Sequence, residues 1–144
     1  MTARRLVLNL GRDLRGAAIV EFAILAPLIF AMLFGALQAG IQMWCYNSLR
    51  SIAADTARYT MVEYQKQNQL STDQIASKAV AIGVNSPYNF DINQFSPVVG
   101  STASDISGMT KFTMTMTYTP PSILDFTGIK APTLTITRPI YVTT

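Results

Sequence analysis

The stretch Arg15-Gly16-Ala17-Ala18-Ile19-Val20-Glu21-Phe22 decides how the rest of the chain is read. A basic segment ends at a glycine, an apolar run starts directly after it, and a glutamate stands five residues past the glycine. In a secretory signal peptide the cleavage site lies beyond the apolar run. Here the natural cut lies ahead of it, so the apolar run would be retained.

Outward from this junction, Phe22 to Leu37 carries no charge and no strongly polar side chain, and extension to Trp44 adds only Gln38 and Gln42. As a helix, residues 17–44 span roughly 42 Å, whereas a hydrocarbon core needs about 20 residues. The segment is therefore expected to cross a membrane as one helix and to continue beyond it. Trp44 and Tyr46 stand where interfacial aromatic anchors belong, and a kink at Pro27 is tolerable in lipid. Three features oppose an ordinary, discarded signal peptide. Glu21 interrupts the apolar stretch, the stretch exceeds the usual h-region of about 7–15 residues, and the best small-x-small site after it, Leu37-Gln38-Ala39, is a poor one. An unprocessed single-pass protein whose outer domain binds an envelope partner is the alternative, and cleavage after Gly16 separates the two.

The charge distribution agrees with membrane orientation rather than nucleic-acid binding. The chain of 144 residues has a formal net charge of +3. Arg4, Arg5, Arg12 and Arg15 against Asp13 account for all of it, and acids and bases balance over residues 17–144. A nucleic-acid binder needs a basic face on its folded domain; a basic flank marks the cytoplasmic side of a membrane segment. No histidine is present, which removes the commonest general base and metal ligand. Cys45 is the one cysteine, so no internal disulfide can form. It reads either as an intermolecular partner in an oxidising compartment or as a small apolar residue.

The order of leader, glycine, apolar helix and glutamate resembles the prepilin-type leader of the type IV filament superfamily. More closely, Gly16-Ala17-Ala18-Ile19-Val20-Glu21-Phe22-Ala23, followed by Ala26-Pro27-Leu28, is similar to the opening of the TadE-like family of the Tad (Flp pilus) machinery. The run Tyr46 to Tyr59, ending Ala54-Asp55-Thr56-Ala57-Arg58-Tyr59, is similar to that family's alanine-rich helix. Ile19 stands where a small residue is typical. The resemblance implies cleavage between Gly16 and Ala17 by a prepilin peptidase. It further implies a pseudopilin or minor pilin-like role in pilus assembly and secretion, with Glu21 and Phe22 setting subunit register. The implied partners are the peptidase, other pilins and pseudopilins, the inner-membrane Tad assembly platform and membrane lipid. The implied location is the bacterial inner membrane, single-pass, with a cytoplasmic N-terminus and a periplasmic C-terminal domain that can also enter the pilus.

Glu21 has a physical rationale beside that resemblance. An acid inside hydrocarbon is costly, but this one lies about 6 Å of helix from the new terminus that cleavage would create. Residues 17 and 21 share a helix face, so the freed α-amine of Ala17 can neutralise the carboxylate, within a subunit or from a neighbour.

The remaining sequence reads as a small α+β domain: leader over 1–16, membrane helix over 17–44, outer domain over 45–144. Cys45 to about Lys66 continues the helix, with Leu49, Ile52, Ala53, Thr56 and Thr60 on one face. That face packs either on sister helices or on the chain's own core. Ser71 and Gln74 form a capping-box pattern, Ile75, Ala79 and Ile82 share a face, and Gly83 is expected to end the second helix. Residues 84–110 read as loop with one short strand. From Lys111 to Thr119, Phe112, Met114, Met116 and Tyr118 alternate with threonines, the clearest strand, stopped by Pro120-Pro121. Thr133–Thr137 alternates again, and Pro139 is expected to interrupt before Ile140-Tyr141-Val142. Two or three antiparallel strands on the helices is the economical arrangement, with a threonine face read as solvated surface. No constellation for catalysis, no cofactor motif and no calcium loop is present, so packing and recognition, not enzyme chemistry, are the expected work.

Overall fold

The computed structural model describes residues 14–125 and 128–143, with side chains from residue 16 onward. Of the leader expected over residues 1–16, residues 1–13 lie outside the described residues. The architecture is α+β: helix α1 (Leu14–Gln65), helix α2 (Thr72–Val84), and strands β1 (Phe95–Thr102), β2 (Met109–Tyr118) and β3 (Leu134–Thr143). The strands form one antiparallel sheet in the order β1-β2-β3.

The chain divides into two compact units, one ending at Gln38 and one spanning Ala39–Thr144. In the first, α1 runs unbroken past Pro27. Its large apolar side chains face outward: Ile19, Phe22, Ile24, Leu28 and Met32 are all exposed. A helix that is apolar all round and covered by nothing is a membrane-spanning pattern, and this is the one helix long and apolar enough to cross a membrane among the described residues. One N-terminal apolar helix of this kind fits a single-pass membrane protein.

In the second unit the same helix changes character. Cys45, Leu49, Ile52, Ala53, Thr56, Ala57 and Thr60 are buried, at the 3–4-residue steps of one helix face. The stripe therefore covers the chain's own core, not a sister helix. Two of its members are polar, and each is satisfied locally. Thr56 Oγ1 donates to the Ile52 carbonyl at 2.8 Å, and Thr60 Oγ1 donates to the Thr56 carbonyl at 2.9 Å. Burial of a hydroxyl without a partner would cost about 1–3 kcal/mol; these bonds avoid that cost. Cys45 is fully buried beside them, which favours its reading as a small core residue over an intermolecular disulfide.

Helix α2 begins with the anticipated capping box. The Gln74 N–H donates to Ser71 Oγ at 3.3 Å, and the Ser71 N–H donates to Gln74 Oε1 at 2.9 Å. Gly83 does not end it; the helix continues to Val84. The glycine is there because the ring of Phe95 occupies the space of a side chain. A Cβ at residue 83 would sit 2.5 Å from Phe95 Cε1. Phe95 has little room to yield, since it meets Phe90 and Tyr118 edge-on at 5.6 and 6.5 Å. Gly83→Ala is expected to lose about 1–3 kcal/mol from overpacking, against a helix-propensity gain of at most about 1 kcal/mol. A net fall in the melting temperature of the full chain in detergent checks this; an unchanged or raised value contradicts the packing.

The sheet buries Phe112, Met114, Met116 and Tyr118 on the face toward the core, in the alternation anticipated for β2. Two strands depart from expectation. β1 is a full eight-residue strand despite Pro97 and Gly100, and β3 runs through Pro139 instead of breaking there. Both prolines lie on edge strands, where a missing N–H need not break a ladder. The threonines form cross-strand pairs on the opposite face. Thr115 and Thr137 hydroxyls lie 3.3 Å apart, Thr119 and Thr133 hydroxyls 3.0 Å apart, and Thr117 donates to the Ser96 carbonyl at 3.2 Å.

Gly108 adopts φ +77° in the β1–β2 connection, a region that only glycine enters without strain. Across that connection, Lys111 Nζ lies 3.0 Å from Asp105 Oδ1, and the Tyr141 hydroxyl donates to the same carboxylate. The hydrogen bond from Lys111 holds the Asp105 carboxyl below its ordinary value. A depressed carboxylate contributes stability above its unfolded pKa and loses it as pH falls through the folded pKa. The pair is exposed, so the effect on stability is small. The expected result is an Asp105 carboxyl resonance that titrates below the usual aspartate range and returns to it in Lys111→Met.

Candidate functional site

The residues singled out at the N-terminal junction lie together at the start of α1. In α1 (Leu14–Gln65), Gly16 and Ala17 are both helical, so the Gly16-Ala17 bond lies within helix. Nothing lies within 4 Å of a Cβ built on Gly16, and its φ is not in the positive region. A glycine in a helix costs about 0.8–1.0 kcal/mol relative to alanine, and neither close packing nor backbone geometry requires one here. Gly35 and Gly40 are equally open, so Gly16 gains its meaning from its place between Arg15 and the apolar run.

Glu21 is exposed one turn beyond Ala17, and among the described residues its side chain makes no hydrogen bond or ion pair. Phe22 beside it is 65% exposed. Neither residue contributes to the chain's own core, so both are available to something outside the chain. At the other end of the apolar segment, Trp44 is exposed but also meets Phe90 edge-on at 6.2 Å. Phe90 stacks on Tyr118 at 3.9 Å. Trp44 thus joins the aromatic cluster of the C-terminal unit besides standing at the end of the apolar run.

One grouping escaped the sequence reading. Arg50 of α1 and Arg138 of β3 line the same groove. The available signal was the phase of β3: Leu134, Ile136, Ile140 and Val142 share a face, and Arg138 falls among them. Its pairing opposite Met114 confirms that register.

No curated protein and no solved structure matches the chain. A family model does: the one described as TadE-like protein matches residues 16–58, from the junction glycine into the buried stripe of α1, so the chain is similar to that family over this span.

Proposed function

We propose that this chain is a pseudopilin or minor pilin-like component of a Tad-type pilus assembly and secretion system. Its helix is anchored in the bacterial inner membrane, with the leader cytoplasmic and the C-terminal unit periplasmic. A prepilin peptidase removes residues 1–16, leaving Ala17 as the new terminus. The observation that carries the reading is the junction itself: a glycine that the fold does not need, ahead of a retained apolar helix, with an unpartnered glutamate one turn on. Work is done by anchoring and subunit packing, not by catalysis. Glu21 and Phe22 face neighbouring helices, and the freed amine of Ala17 neutralises Glu21 as subunits align. The partners are the peptidase, other pilins or pseudopilins, and the membrane assembly platform.

Deletion of the gene, scored for surface pili, tests this. Loss of pili restored by the wild-type gene supports the reading; a deletion strain with its full complement of pili contradicts it.

A further inference from the structure

The groove between α1 and the edge strand β3 has no part in the junction chemistry. It is an open cavity of about 450 Å³, lined by Tyr46, Arg50 and Ala53 from α1 and by Thr135, Thr137 and Arg138 from β3. Arg50 and Arg138 line it from its two sides, and no acid does. Neither arginine has a salt bridge among the described residues. The one charge-related contact is Arg50 over the Tyr46 ring at 5.9 Å. Both arginines are exposed. Two arginines on one groove, each a fork of N–H donors with no acid beside it, suit a phosphate or its ester.

Position along the chain narrows the source of that phosphate. The apolar run ends at Trp44, and Arg50 follows six residues later in an unbroken helix, about 9 Å on. The headgroup layer occupies roughly 5–8 Å on each side of the hydrocarbon, and a long arginine side chain can reach back toward it. Exposed Trp44 and Tyr46 are the aromatic types that settle at that level.

We propose that the Arg50–Arg138 groove binds the phosphate of an anionic phospholipid headgroup where α1 leaves the membrane. This rests on the reading that α1 spans a membrane, though not on cleavage at Gly16 or on any role in pili. A guanidinium in the inward phase of an edge strand also guards that edge against pairing with another sheet; that role alone predicts no preference among lipids.

The test is native mass spectrometry of the full chain released from nanodiscs containing equal phosphatidylcholine and phosphatidylglycerol. Wild type is expected to retain phosphatidylglycerol preferentially. Arg50→Ala and Arg138→Ala should each reduce that preference by about fivefold, while Arg58→Ala, an exposed arginine of α1 outside the groove, should leave it unchanged. Lysine at both positions should restore part of the preference, because charge returns without the fork; this arm also serves if the alanine variants fold poorly. Inorganic phosphate added to the lipid-free protein in detergent separates the sources. Saturable binding that needs both arginines, without any lipid preference, would assign the site to free phosphate and overturn the headgroup proposal. Equal retention of both lipids by wild type with no phosphate binding, or an equal loss with Arg58→Ala, would overturn the site altogether. Failure of the nanodisc reconstitution itself would instead count against the membrane-spanning reading.

Discussion

Leu49→Ala is expected to destabilise the C-terminal unit by about 2–5 kcal/mol. Leu49 is 0% exposed and lies on the α1 face that meets the sheet. The cost combines lost transfer energy with a cavity that a core of this size can refill only in part. Domain stabilities are about 5–15 kcal/mol in total, so the loss is a large fraction. Leu28→Ala removes the same atoms from a side chain that is 59% exposed in the other unit, and it should leave the urea midpoint of the C-terminal unit unchanged. Equal effects from both substitutions, in detergent-solubilised full chain, would mean that α1 does not change from lipid-facing to core-facing between these positions.

Glu21→Ala is expected to spare folding and membrane insertion while reducing surface pili by about tenfold or more. Glu21 has no partner within the chain among the described residues, so its removal leaves no buried group unsatisfied. Its proposed partner is the amine of Ala17, and a hydrogen bond to a charged group contributes about 1.5–3 kcal/mol. At roughly 1.4 kcal/mol per tenfold, loss of one such contact per subunit is enough to disfavour incorporation strongly. Normal membrane content with few pili is the expected pair of readouts. Normal pili from Glu21→Ala would remove the registering role, and loss of the protein from the membrane would show that the carboxylate acts earlier, in insertion or folding.

Much of the architecture could be read from residue spacing because its causes are local. The apolar run needs no tertiary context to be recognised, Ser71 and Gln74 satisfy each other within one turn, and β2 alternates without a break. The features that run against local pattern depend on neighbours distant in sequence. Pro97 and Gly100 disguise β1, and Pro139 is a local break signal within β3; both strands persist because β2 supplies the ladder and the prolines lie at the two edges. Gly83 looked like a helix stop because the ring of Phe95, which fills its missing side-chain volume, lies on another element. The same division holds for function. Gly16, Ala17, Glu21 and Phe22 form a linear motif, legible because its residues adjoin in sequence and need no tertiary contact. The groove of Arg50 and Arg138 exists only once strand register is fixed.

The central claim is retention of the apolar helix after removal of the leader. Intact-mass measurement of the protein extracted from membranes, with and without an active prepilin peptidase, tests it most directly. The account predicts a chain beginning at Ala17 when the peptidase is active and one still carrying residues 1–16 when it is not. A chain that keeps residues 1–16 in both strains, or one that begins at or beyond Ala39, would contradict it.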